Sequence, residues 1–308
     1  MIMDKKKILA LFSLVIILAF IGYIVYDTVK SDRKPAETVT SINDTVPNDK
    51  WQIATVIEVQ EGLKAVTATS DGNIYAGGDS YIVCYNNQLN KLWQIETPTR
   101  VTALATYGDT LFATSEEVIY LVSPSGEIVS EWGPYEANCL ITSVSANKDY
   151  LAVADAGNKI VFIIKKDGEV HSMIGHFGEK LLIPSPYFDV YLTEENKLYM
   201  AHTGKFRIET WTTDGRFVSS FGEPGTAPET FCGCCNPAHF TVVPQGFITA
   251  EKGINRIKIL GPIGGFIEYV SSVNDFVASA PLDVTSADGK TIYGANTADS
   301  KLYVFERK

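Results

Sequence analysis

The stretch YFDVYLTEENKLYMAHTGKFRIETWTTDGRFVSSFG, residues 187–222, decides the fold. Short runs rich in β-branched and aromatic residues alternate with Gly, Asp and Asn turns, which reads strand, turn, strand, loop, strand, turn, strand. The same pattern recurs on both sides, at 65–95, 101–133, 141–175, 239–272 and 281–307, the last unit stopping one strand short. Asp71-Gly72, Asp167-Gly168, Asp214-Gly215 and Asp288-Gly289 supply the positive φ that tight hairpins need. Four-stranded units at this period are propeller blades. The segment 51-WQIATVIEV-59 belongs to none of them, and can pair as the outer strand of the sixth, closing the ring and removing both open edges. The expectation is an all-β, six-bladed β-propeller over 51–308, closed by an N-terminal strand.

Residues 1–50 have a different character. Ile8 to Tyr26 is almost wholly apolar, and its nineteen residues would span roughly 28 Å as a helix, about the hydrocarbon thickness of a bilayer. Lys5, Lys6 and Lys7 precede it, which places residues 1–7 in the cytoplasm and everything after Tyr26 outside. A cleaved signal peptide would have a shorter apolar core and a small-residue cleavage site, and 21-IGYIVY-26 offers none. The reading is a single transmembrane helix over 8–26, then a polar, Pro-interrupted linker over 27–50.

The 308 residues carry 26 basic and 36 acidic side chains, net −10, so a nucleic-acid partner is not expected. No nucleophile elbow and no phosphate-binding glycine loop are present. The two widest spacings between successive inner strands, 141 to 188 and 188 to 240, hold the insertions 176-HFGEKLLIPSP-186 and 223-EPGTAPETFCGCCNPA-238. Insertions above a rigid scaffold are where function concentrates. Cys139 and the loops between second and third strands fall on the same face, and those loops bring Asp155, His202, Glu251 and Asn296 toward the channel mouth. Cys84, within a strand, reads as core.

The third-strand runs Asn158–Phe162, Lys205–Trp211 and Asn255–Leu260 resemble the signature of the NHL-repeat six-bladed propellers. Gly233–Pro237 (Gly-Cys-Cys-Asn-Pro) followed by Ala250–Lys258 is similar to a membrane-anchored bacterial subgroup of that family. The resemblance implies the propeller fold over 51–308. It carries no single activity, because such propellers include binding platforms, lyases and lactone hydrolases.

Three readings of 231-FCGCCNP-237 stay open. A disulfide could staple the loop, Cys232 to Cys235 or to Cys139, whereas adjacent Cys234 and Cys235 bridge each other only with strain. Thiolates with His239 could hold zinc or an iron–sulfur cluster, although the C-x-C-C spacing is not standard for either. Cys232 and Cys235 could exchange thiol and disulfide, although no helix N-terminus follows to lower a thiol pKa. By likeness to lyase- and lactonase-type propellers, Asp155, His202 and Glu251 could form a channel-mouth metal site. The leading expectation is a membrane-anchored, extracytoplasmic module binding a protein or small molecule through its cysteine-bearing face. The alternatives are a metal or iron–sulfur redox accessory, and a lyase or lactone hydrolase.

Overall fold

The computed structural model describes residues 6, 13–23, 50–176, 180–233, 235–272, 275–277 and 279–308. Two units separate, 1–45 and 46–308. In the first, residues 13–23 are helical; the remainder of the expected span, 8–12 and 24–26, lies outside the described residues. Among the described residues no helix is long and apolar enough to cross a membrane.

The second unit is six antiparallel four-stranded sheets. Their inner strands are Leu63–Ala68, Ala103–Tyr107, Ile141–Ala146, Val190–Leu192, His239–Val243 and Asp283–Thr285, taken here as blades one to six. In blades one to five the strands are ordered along the chain. The sixth takes Trp51–Glu58 as its outer strand, paired with Lys301–Arg307 from Trp51 opposite Arg307 to Glu58 opposite Lys301. The first and last strands of the domain therefore share one sheet, as expected.

Blade sheets are buried on both faces near the axis, so their second and third strands read as continuous apolar runs, such as Ile160–Ile164. The core follows the ring: six hydrophobic clusters each join two neighbouring blades, with Val153 and Phe162 meeting Phe112 between blades two and three, and Leu63 and Tyr81 meeting Ala295 and Leu302 at the closure. Cys84 lies in the cluster between blades one and two. Trp93 and Trp132, on fourth strands, pack against the hairpin glycines of the next blade. A Cβ at Gly126 would come within 2.9 Å of the Trp93 ring, and one at Gly168 within 3.2 Å of the Trp132 ring. Both glycines have φ near +85 to +89°, so close approach and backbone conformation require the same residue.

Candidate functional site

The turn from second to third strand repeats as a nine-residue frame. It reads ADAGNKIVF at 154–162, AHTGKFRIE at 201–209, AEKGINRIK at 250–258 and ANTADSKLY at 295–303. Its second position holds Asp155, His202, Glu251 and Asn296, the four residues expected at the channel mouth, and the structure engages all four in holding loops. Asp155 Oδ1 accepts from the backbone N–H groups of Leu140, Gly157 and Asn158, and its Oδ2 from the Asn158 side chain. Asn296 Oδ1 accepts from Ala298 N–H. Neither these two nor His202 nor Glu251 lines the central channel.

In blade four, register sets His202 opposite Arg207, and Glu209 follows on the third strand. Glu209 Oε1 accepts from His202 Nδ1 at 2.8 Å and Arg207 Nε at 2.7 Å, and Oε2 from Trp211 Nε1 at 2.9 Å. Burial pushes the Glu209 carboxyl up, but the hydrogen bonds from His202 and Arg207 outweigh it and hold it at about 2. With Nδ1 turned to the carboxylate, His202 Nε2 is the acceptor, and it takes the N–H of Leu182 at 2.8 Å. Both ring nitrogens are thus engaged. Residues 180–186 of the insertion are also held by Leu181 and Ile183, buried in the cluster between blades three and four, and 177–179 lie outside the described residues.

In blade five, Glu251 faces Arg256 in register, and Lys258 follows. All three side chains are 0% exposed. Glu251 Oε1 accepts from Arg256 Nε at 2.9 Å and pairs with Lys258 Nζ at 2.8 Å; Oε2 accepts from Cys232 N–H at 3.2 Å. The cations reach the 223–238 insertion through its carbonyls. Arg256 donates to Thr226 O, Ala227 O and Thr230 O, and Lys258 donates to Thr230 O at 2.6 Å with its ammonium over the Phe231 ring. Burial lowers the Lys258 amine to about 8 despite the attraction of Glu251.

The cysteine motif closes onto the same structure. Asn236 donates to Cys232 O and Lys252 O and accepts from Lys252 N–H, tying 232–236 to the turn after Glu251. Cys235 has φ +71°, a left-handed conformation strained for a residue with a Cβ. Cys139, Cys232 and Cys235 are buried, and no disulfide joins the described cysteines; Cys234 lies outside the described residues. Cys139 donates to Glu136 O at 3.2 Å and packs between blades two and three. Burial pushes its thiol to about 11 and raises that of Cys232. Among the described residues no three His, Cys, Asp or Glu side chains gather to hold a metal.

His239 takes a different position from the one expected beside the cysteines. It lines the central channel, with Nδ1 3.6 Å from Asp283 Oδ1 and its ring edge-on to Tyr187. Burial lowers the His239 imidazole to about 4. The channel, of about 720 Å³, is also lined by Asp189, which is buried and whose Oδ1 accepts from Val190 N–H and the Ser143 hydroxyl. Asp189 Oδ2 accepts from Phe240 N–H of blade five, and Asp283 Oδ2 from Val66 N–H of blade one, so each carboxyl bridges to a neighbouring blade. Burial raises Asp189 to about 6; burial and the neighbouring Asp189 raise Asp283 to about 8. Sequence reasoning passed over both. The signal was the recurrence of Phe188-Asp-Val190 and Leu282-Asp-Val284 at one inner-strand register, an acid where the pattern calls for apolar residues.

No protein-family model matches the sequence, and no curated protein matches it. Solved structures do resemble the fold. A streptogramin B lyase structure aligns with a TM-score of 0.61 at 12% identity, covering 84% of this chain and 98% of that one. A virginiamycin B lyase from Staphylococcus aureus aligns with a TM-score of 0.59 at 15% identity, covering 83% and 99%. A protein of unknown function from Bacteroides thetaiotaomicron aligns with a TM-score of 0.64 at 14% identity, covering 85% and 73%. At these identities the likeness is one of fold.

Proposed function

We propose that this chain is a binding module, an NHL-type ring that presents residues 180–186 and 223–233 of its two insertions as one preordered docking face for a protein partner. Residues 8–26 anchor it in a membrane with the propeller outside. The observation that carries the reading is that each insertion is fastened from beneath by a buried charged cluster, Leu182 by His202 and Thr226–Thr230 by Arg256 and Lys258. Fixing loops before contact lowers the entropy lost on association. Buried ionic groups of this kind favour a single loop conformation over maximal stability.

The raised thiols of Cys139 and Cys232 weigh against thiol–disulfide exchange, which needs a thiolate near neutral pH. One observation favours a second reading, lyase or lactone hydrolase chemistry: His239 and Asp283 face each other on the wall of the channel.

The docking reading is tested with the full chain in its native membrane. A photo-reactive residue is placed at the exposed positions Leu182 and Glu229, and as control at Val129 on the outer edge of blade two. The expected result is a discrete adduct from 182 and 229, absent from 129. Adducts equal at all three positions, or none, would overturn it. Digestion of the propeller by protease added outside intact cells tests the topology.

A further inference from the structure

The two insertions meet the turn frames of blades four and five with matching residues. His202 accepts Leu182 N–H as Glu251 accepts Cys232 N–H. The residue before each of these packs on the glycine that follows the preceding blade's fourth strand. A Cβ at Gly175 would come within 2.8 Å of the Leu181 side chain, and one at Gly222 within 2.6 Å of the Phe231 ring. Leu181 therefore stands in blade four where Phe231 stands in blade five, with a smaller side chain.

The surroundings of the frame arginine differ. Arg256 gives Nη1 and Nη2 to the carbonyls of Thr226, Ala227 and Thr230, and the next residue, Phe231, lies under the Lys258 ammonium. Arg207 spends Nε and Nη2 on Glu209 Oε1, and among the described residues no oxygen accepts from its Nη1. Beside Arg207 lies a pocket of about 170 Å³ with Leu181, Trp211 and Phe217 as apolar walls. The Trp211 and Phe217 rings stand edge to face, 5.5 Å apart, and Phe217 is 45% exposed. The volume is that of about six waters at roughly 30 Å³ each. Pockets for whole small molecules start at roughly 300 Å³, so this one suits a single side-chain-sized group.

Blade five thus supplies its own frame with acceptor oxygens and an apolar side chain from adjacent residues, Thr230 O and Phe231. A ligand of the blade-four pocket must bring the same pair. A folded loop spreads three carbonyls around an arginine, but a group this small offers two acceptors only on one carbon, and the guanidinium fork matches such a carboxylate. We propose that the pocket binds the carboxy-terminal residue of the protein partner, its α-carboxylate at Arg207 and an apolar side chain of about leucine size against Leu181, Trp211 and Phe217. An apolar anchor in a small pocket is where an interface concentrates its energy. The inference rests on the docking reading for the existence of a partner and adds the chemistry by which that partner is recognised.

The experiment is fluorescence anisotropy of an N-terminally labelled hexapeptide, five alanines and a terminal leucine with its free acid, titrated with the full chain. Saturable one-to-one binding is expected, at least tenfold tighter than for the same peptide as its C-terminal amide and severalfold tighter than with alanine at the end. N-acetyl-leucine should compete at least tenfold more weakly than unlabelled peptide; equal competition would assign the pocket to a free organic acid and overturn its use by a partner. Arg207→Gln should weaken binding about tenfold. Because Arg207 also holds Glu209, Phe217→Ser serves as the wall variant that leaves that cluster intact, and should weaken binding about threefold. Ile128→Ser, at the start of the fourth strand of blade two, should change nothing. No saturable binding, equal affinity for the amide, or equal losses from Phe217→Ser and Ile128→Ser would each overturn the proposal. Photo-adducts at 182 and 229 without peptide binding would overturn this inference alone, whereas peptide binding without adducts would overturn the docking reading.

Discussion

Blades four and five use one turn frame with the charges exchanged. Both carry arginine at the seventh position, Arg207 and Arg256, but the second and ninth positions are His202 and Glu209 in one and Glu251 and Lys258 in the other. Moving the acid from the third strand to the second reverses what the cluster has left over. In blade four the carboxylate consumes the donors, and the remaining group is the lone pair of His202 Nε2, which captures a backbone N–H. In blade five the carboxylate leaves N–H donors of Arg256 and Lys258, and these capture backbone carbonyls. One register thus fastens either polarity of loop backbone. The clusters also differ in dryness: Arg207 is 30% exposed, whereas Glu251, Arg256 and Lys258 are all 0% exposed.

The sharpest way to break the comparison is to remove the acid from each blade. Glu251→Gln leaves two buried cations without a counter-charge, and such losses cost about 3–5 kcal/mol. Denaturant unfolding should show that loss, with the 223–238 insertion becoming protease-sensitive well before the midpoint.

Glu209 offers a pH test. Its folded pKa, about 2, lies below the ordinary 4.5, so its contribution is full above 4.5 and lost as pH falls toward 2. That contribution is about 3 kcal/mol. Stability measured between pH 5 and 2 should therefore fall more steeply in the native chain than in Glu209→Gln.

His202→Phe keeps the ring volume and removes both nitrogens. It should cost about 1–2 kcal/mol, with faster amide exchange at Leu182 and no change at Thr230. The smallest effect is expected from Lys258→Met, within about 1 kcal/mol, because Arg256 still engages both Glu251 and Thr230 O. A loss as large as that from Glu251→Gln would show that blade five depends on both cations.

The six blades, the closure and the two insertions were legible because period and turn chemistry are local properties. Asp-Gly hairpins at 71, 167, 214 and 288 place glycines at positive φ in the structure, and the unmatched strand 51–59 had only one edge to complete. Side-chain partners were not legible in that way. Asp155, His202, Glu251 and Asn296 stand out as polar residues at loop ends, but whether such a group faces solvent, a metal or a backbone amide depends on atoms far away in sequence. His239 shows the same limit: four residues from Cys235, it turns inward to Asp283, 44 residues further on. The expectation of a membrane helix was read from hydropathy, and 8–12 and 24–26 of its span lie outside the described residues.

The shared sixth sheet sets an order of events during synthesis. Trp51–Glu58 is the first strand of the ring to be made, yet its partner Lys301–Arg307 is the last. Until the final residues emerge, a strand with Ile53 and Val56 on its face waits with an unpaired edge. Pairing across about 250 residues carries a large loop-closure penalty and makes closure a late, slow step. The domain is therefore most exposed to mispairing with another copy, through this one strand, in the interval before its last residues arrive.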